Sequence, residues 1–304
     1  MTEHHALALS GGGASGAWQA GVLAYLLGET KSEFKTVTGV SVGALNGARL
    51  AEQRIGDEKI AAREIVADWE SIKSSSDIYR KRLFGMVPSA ALWALFKHRG
   101  IFKSWPIRER VTRGTDKRPP LRPGLLRSSG RKFVCGAVAW GTSEYKTWDE
   151  TSPDIVNAVL ASSAYPVFFE SVDVGGHAYT DGGLRDITPI RSAIDAGATH
   201  ITVISCAASH METVKAPRGL AQIQRAIGIA LDEVDVGDFE KADLINELVR
   251  CKSGIADWKG WRLVELRVIR PAAGLGDSLD FSEKKNRRLL DQGYEQASGL
   301  SWSW

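Results

Sequence analysis

Ser41 lies at the centre of the segment Gly39–Gly43, in which a glycine stands two residues away on either side. The segment overlaps the end of the β-branched, strand-like run Thr36–Val40 and precedes a helical pattern. G-x-S-x-G between strand and helix is typical of a nucleophile elbow, because the glycines permit a strained turn that lifts the serine clear of the sheet. A simple Gly/Ser turn is the alternative for such a segment taken alone. Ser41 is therefore our candidate nucleophile.

A second glycine-rich segment, Gly11–Gly16, follows the strand-like run Ala6–Ser10 and opens a helical pattern. Backbone N–H groups at a helix N-terminus favour negative charge, so this loop can hold an oxyanion or a phosphate. Its first, third and sixth residues also satisfy the G-x-G-x-x-G motif of dinucleotide-binding folds. Those folds place an acidic residue near the end of the second strand, whereas here that strand runs into Ser41. The pattern favours an oxyanion loop that faces a nucleophile.

A serine hydroxyl needs a base, and the residues alone leave two candidates. Asp181 ends a short strand-like run and is followed by Gly182 and Gly183. His210 lies in the loop after a second apolar run, and it would complete the Ser, Asp, His order of a serine triad. Both routes remain open at this point.

With these motifs in this order, the chain resembles the patatin-like phospholipases, lipid acyl hydrolases that use a serine–aspartate dyad without a histidine. The resemblance also includes the segment Ala161–Pro166 upstream of the aspartate and a closing helix that ends at Gly293 and Tyr294. One departure is Ser15, which stands where the family usually has Arg or Lys. The backbone N–H survives that change, so the expected oxyanion binding does not depend on it.

The resemblance implies that Ser41 is the nucleophile and Asp181 the general base, with no cofactor and no metal. It assigns the oxyanion hole to the first loop, at Gly11, Gly12, Gly13 and Ala14. It assigns supporting roles to Gly16, Gly39, Gly43, Gly182 and Gly183. Because a free aspartate has a pKa of roughly 3.9, we expect a secluded site that makes Asp181 more basic.

The order of strand and helix patterns predicts an α/β fold. We expect three layers, α/β/α, with a central and mainly parallel sheet, in one domain over residues 1–304. The segment Arg113–Lys132 holds seven basic residues against one acidic residue, and we interpret it as an exposed loop.

The composition sets limits on partners and location. The chain has 304 residues and a net charge of only +3, so charge calls for no nucleic-acid partner. Its three cysteines are widely spaced, which fits neither a disulfide framework nor a zinc site. The N-terminus shows no secretory pattern, so we expect a cytoplasmic protein. An apolar stretch from Leu83 to Phe96, basic at both ends, predicts either peripheral contact with a membrane surface, a cap on an acyl-chain pocket or an ordinary core helix.

These observations together predict a metal-independent hydrolase that cleaves acyl esters of phospholipids or related lipids through a covalent acyl-enzyme. One alternative is a carboxylesterase or thioesterase for soluble acyl substrates, which would use the same dyad. The other is a non-catalytic module that binds a lipid or a nucleotide, in which Ser41 is incidental.

Overall fold

The computed structural model describes residues 3–30, 32–81, 100–209, 216–252, 254 and 261–302. The apolar stretch from Leu83 to Phe96 and the candidate base His210 lie outside the described residues.

A central sheet organises the described part of the chain. Its eight strands follow the order β10-β9-β1-β2-β5-β8-β7, with β6 also paired to β5. The pairings from β10 through to β5 are parallel, and those of β6, β7 and β8 are antiparallel. The mainly parallel sheet predicted from the sequence is confirmed. The strands, including the separate pair β3 and β4, are β1 His5–Leu9, β2 Thr36–Gly39, β3 Arg80–Lys81, β4 Phe102–Lys103, β5 Lys132–Ala139, β6 Tyr145–Asp149, β7 Val172–Val174, β8 His177–Asp181, β9 His200–Ile204 and β10 Glu265–Ile269.

Helices connect these strands and cover the sheet. Within the described ranges, no helix combines the length and the apolar character that a bilayer crossing requires. The α-helices are α1 Gly16–Glu29, α2 Val42–Ala51, α3 Glu58–Glu70, α4 Trp105–Thr112, α5 Pro123–Ser128, α6 Ile155–Ser162, α7 Ile190–Asp195, α8 Leu220–Arg250 and α9 Glu283–Ser298.

Strand β1 shows why the fold has three layers. Leu7 and Leu9 belong to a core shared with α1, α2, α3 and α9, whereas Ala6 and Ala8 belong to a second core shared with α7 and α8. Successive side chains of a strand point to opposite faces, so β1 is buried on both sides. This explains its continuous apolar sequence, which is typical of a central parallel strand.

The register of β5 decides where Asp181 lies. Gly39, at the end of β2, pairs with Cys135, and β5 continues for four residues beyond that point. Strand β8 runs antiparallel along this extension and ends with Asp181 opposite Ala137. An antiparallel strand therefore delivers its last residue to the edge at which the parallel strand β2 ends.

The segment Arg113–Lys132 is not simply an exposed loop, and that prediction is wrong. It contains helix α5, and the side chains of Arg118 and Arg131 are buried. Arg131 donates to the backbone carbonyls of Gln53 and Arg54 at 2.9 and 3.0 Å and also pairs with a glutamate of α3. Such partners offset the cost of burying a guanidinium, which basic composition alone does not reveal.

Candidate active site

Ser41 occupies the turn between β2 and α2 with φ 55° and ψ −126°. Positive φ is strained for a residue that carries a Cβ, and such strain is concentrated at functional sites. The flanking glycines allow the close approach of backbone that the turn needs. A Cβ on Gly39 would overlap the carbonyl of Gly43, and a Cβ on Gly43 would overlap the carbonyl of Leu9. The local geometry is that of a nucleophile elbow.

One turn at the end of α6 contacts both Ser41 and Asp181. The N–H of Ser41 donates to Ser162 Oγ at 3.0 Å, and Ser163 Oγ donates to the Ser41 carbonyl at 3.0 Å. The N–H of Asp181 donates to the Ala164 carbonyl, also at 3.0 Å. The sequence singled out this segment only through its resemblance to a family motif, and the contacts supply a physical role for it. They hold the strained elbow and fix its position relative to the aspartate.

Asp181 is buried, with 4% of its surface exposed, and its Oδ1 accepts the N–H of Gly183 at 2.8 Å. Burial raises its pKa to about 6, while the Ser41 hydroxyl and the Gly183 N–H oppose that rise because they stabilise the charged form. The seclusion expected from the sequence is present. The other oxygen, Oδ2, is buried and has no hydrogen-bond partner of ordinary geometry among the described residues.

The glycine loop keeps some of its N–H groups free. The N–H of Gly11 donates to the Ile187 carbonyl at 3.0 Å, and that of Ala14 donates to the Ser278 carbonyl at 2.8 Å. In the described part of the chain, the N–H groups of Gly12 and Gly13 have no acceptor. Both glycines line the same cavity as Ser41. Two of the four predicted oxyanion donors are therefore available, and the other two hold the loop in place.

Close packing around the loop explains its small residues. A Cβ on Gly12 would collide with the side chain of Cys206, and a Cβ on Gly16 would collide with Val42, the residue after Ser41. A Cβ on Gly11 would lie 3.2 Å from the Cβ of Ser41. The loop is thus pressed directly against the elbow, and larger residues would separate them.

A cavity of about 890 Å³ contains both Ser41 and Asp181 in its lining. Its volume is in the range of small-molecule sites, and predominantly apolar walls suit an acyl chain. No described histidine lines it, and the described residues contain no cluster of three or more His, Cys, Asp or Glu that would hold a metal ion. The large apolar side chains in its lining are Val42, Leu45, Trp69, Ile72, Ile78, Ile107, Phe169, Ile187, Leu231, Leu275, Leu279 and Phe281.

The fold and the site define the class as a three-layer α/β protein with the architecture of an acyl hydrolase. Residues 7–194 match the family model named patatin-like phospholipase. Because the match covers more than half of the chain, the protein belongs to the patatin-like phospholipase family, whose members are lipid acyl hydrolases. The resemblance drawn from the sequence motifs is confirmed.

Two individual proteins show more distant similarity. The uncharacterized protein YjjU of Escherichia coli (strain K12) is 26% identical over 227 residues, which are 73% of this chain and 57% of YjjU. The chain thus spans little more than half the length of that relative. The crystal structure of VipD from Legionella pneumophila is 14% identical, with a TM-score of 0.46, and the comparison covers 98% of this chain and 66% of VipD.

Proposed function

We propose that this protein is a serine hydrolase of the phospholipase A or lysophospholipase type that cleaves acyl esters through Ser41 and Asp181. The observation that carries the proposal is the pairing of a strained elbow serine with a buried aspartate in one largely apolar cavity. The pKa of Asp181, raised to about 6 by burial, supports its role as a base that is ionised at neutral pH yet more basic than a free carboxylate.

In the proposed mechanism, Ser41 Oγ attacks the ester carbonyl while Asp181 accepts the hydroxyl proton. Negative charge develops on the carbonyl oxygen, and the N–H groups of Gly12 and Gly13 stabilise it. Asp181 then protonates the departing alcohol, which leaves an acyl-enzyme. A water molecule deprotonated by Asp181 attacks this ester. When the second oxyanion collapses, Asp181 returns the proton to Ser41 Oγ, which releases the fatty acid and restores both residues.

The apolar cavity and the membership of the family both support a lipid ester as substrate. Hydrolysis of soluble acyl esters or thioesters would use the same residues and is an outcome of the test below. A single domain over residues 1–304, a cytoplasmic location and contact with a membrane surface stay predictions.

A fluorophosphonate probe tests the nucleophile. We expect covalent labelling at Ser41, located by peptide mass spectrometry, and loss of labelling in Ser41→Ala. Ser128→Ala, which alters an exposed serine of α5, is the matched control and should label normally. An unlabelled wild-type protein that also hydrolyses no ester would favour the non-catalytic binding module.

A product profile then identifies the substrate class. Purified protein is incubated with mixed phospholipid vesicles and, separately, with short p-nitrophenyl esters. Release of fatty acid and lysophospholipid supports the phospholipase assignment. Turnover of the short esters alone would replace it with a carboxylesterase. Asp181→Asn should abolish turnover on either substrate, whereas a variant that keeps full activity would contradict the dyad.

A further inference from the structure

Arg110 and Arg118 bring two guanidinium groups to the lining of the cavity that contains Ser41 and Asp181. Arg110 lies in α4, and Arg118 follows in a turn closed by its bridge to Thr115. Each arginine is only 7% exposed. Arginine is rarely buried this far unless its charge is paired. The acyl-transfer mechanism proposed above uses neither side chain, so both require an explanation.

Arg118 shares its nearest carboxylate with another arginine. Its Nε lies 2.9 Å from Asp68 Oδ1, but the N–H is not aligned for a hydrogen bond. Asp68 Oδ2 meanwhile accepts a hydrogen bond from Arg49 Nε at 3.0 Å. The two terminal nitrogens of Arg118 make no hydrogen bond with a described residue. Most of its donor capacity is therefore unused.

Arg110 is even less well paired. One terminal nitrogen donates to Ser71 Oγ and, at 3.4 Å, to the backbone carbonyl of Asp68. In the part of the chain that the structure describes, no carboxylate lies within ion-pair distance of Arg110. Burial lowers the pKa of Arg110, and it lowers the pKa of Arg118 to about 10. Both shifts have the direction expected for cations that are removed from water without full compensation.

The carboxylates near this pair are shared. In the network of described residues around it, four arginines meet three carboxylates, so neither Arg110 nor Arg118 has a carboxylate of its own. The arginines are Arg49, Arg110, Arg118 and Arg122, and the carboxylates are Asp68, Glu52 and Glu64.

A series of contacts links the two arginines to the elbow at Ser41. Helix α2 begins immediately after Ser41, and its Asn46 accepts a hydrogen bond of 3.0 Å from Trp69 Nε1. Asp68 is the neighbour of Trp69 in α3, and all three residues line the cavity. The guanidinium pair and the elbow therefore line one continuous cavity, whose lining is predominantly apolar.

We propose that Arg110 and Arg118 bind an anionic group of the acyl substrate, a phosphate or a carboxylate, while the ester lies at Ser41. Guanidinium groups present planar N–H pairs that match the oxygens of such anions. The bound anion accepts hydrogen bonds from the N–H groups of Arg110 and Arg118 that no described residue uses. The inference rests on the proposed function, since it names the kind of substrate that the same cavity accepts.

Binding of two amphiphiles of equal chain length tests this subsite without requiring turnover. Isothermal titration calorimetry of the full chain should show octyl phosphate binding at least about tenfold more tightly than octyltrimethylammonium, because each charge-assisted hydrogen bond favours the anion. Arg118→Gln and Arg110→Gln should each remove most of that preference. Arg113→Gln, at an arginine with a 79% exposed side chain just beyond the same helix, should retain it.

Equal affinity for the two amphiphiles in the wild-type protein would overturn the proposal, as would a preference that survives in both glutamine variants. If circular dichroism shows that Arg118→Gln does not fold, the proposal is judged from two measurements. These are the affinities of the wild-type protein for the two amphiphiles and the preference of Arg110→Gln. Titration with octanoate, a carboxylate of the same chain length, shows whether the subsite prefers a phosphate to other anions. Tighter binding of octyl phosphate than of octanoate supports a phospholipid headgroup, and equal binding supports any oxyanion.

Hydrolysis of the neutral ester p-nitrophenyl butyrate keeps the two proposals distinguishable. It depends on Ser41 and should be nearly unchanged in Arg113→Gln. A wild-type protein that binds octyl phosphate with the expected selectivity but cleaves no ester would contradict the hydrolase proposal and leave the anion subsite standing. A wild-type protein that cleaves the ester but shows no preference for octyl phosphate would support the hydrolase proposal and contradict the anion subsite.

Discussion

The hydroxyl of Ser163 donates a hydrogen bond of 3.0 Å to the backbone carbonyl of Ser41. The adjacent hydroxyl of Ser162 accepts the Ser41 N–H at the same distance. Both backbone polar groups of the strained residue therefore bond to one short turn, and the carbonyl also accepts the N–H of Ala44 at 3.0 Å. A conformation with φ 55° persists only when its surroundings impose it, and these two side chains supply part of that constraint.

Ser162→Ala should lower both stability and turnover. It leaves the Ser41 N–H without its partner, which costs about 1–3 kcal/mol for a buried donor. The relaxed elbow should also reduce kcat, by roughly tenfold if about 1.4 kcal/mol of positioning is lost. Thermal melting and kcat on p-nitrophenyl butyrate measure the two effects. Ser128→Ala, at an exposed serine, is the control, and an unchanged kcat in Ser162→Ala would show that the hydrogen bond does not position the nucleophile.

Activity should rise with pH through the pKa of Asp181. In the proposed mechanism the carboxyl must be ionised to accept the Ser41 proton, and burial raises its pKa to about 6. We therefore expect kcat/KM to fall about tenfold for each pH unit below that value and to level off above it. A profile of kcat/KM measured from pH 4.5 to 8 tests this. A flat acid limb would mean that Asp181 is not the base.

Asp181→Asn should inactivate the enzyme and stabilise the fold at neutral pH. The folded-state pKa of about 6 lies above the ordinary value of 3.8, so the ionised carboxylate opposes folding. The stability associated with the protonated form is complete below pH 3.8 and is lost as the pH rises through 6.

The gain from Asp181→Asn should therefore be small at pH 4 and approach roughly 3 kcal/mol at pH 8, because one pKa unit corresponds to about 1.4 kcal/mol. Urea unfolding at the two pH values measures it. An equal change in stability at both would contradict the raised pKa.

Gly12→Ala should strongly reduce turnover. The new Cβ would collide with Cys206, which displaces the loop whose free N–H groups we assign to the oxyanion. Loss of one such donor typically costs about a hundredfold in kcat. Gly28→Ala is a matched control, because Gly28 lies in helix α1 with open space around its Cβ position. It should keep full activity and gain up to about 1 kcal/mol of stability. Full activity in Gly12→Ala would exclude this loop from catalysis.

Much of this architecture was predictable because it depends on local pattern. The apolar run Ala6–Ser10 and the segment around Ser41 indicate buried strands that lead into helices, and the structure contains β1 and β2 at those places. The basic segment Arg113–Lys132 was not predictable in the same way. Charge suggested exposure, whereas Arg131 is buried against backbone carbonyls from a distant part of the chain and Arg118 is buried beside Asp68.

The sequence by itself determined the elbow and the glycine loop, because each is a short motif whose glycines are required by local backbone geometry. The order of these motifs also indicated the family. Only the tertiary structure decided which groups meet. The long strand β5 lets the antiparallel β8 return Asp181 to the edge where β2 ends. The same folding commits the N–H groups of Gly11 and Ala14 to distant carbonyls and places two arginines in the cavity lining. Strand register and long-range hydrogen bonds set these contacts, and no local pattern encodes them.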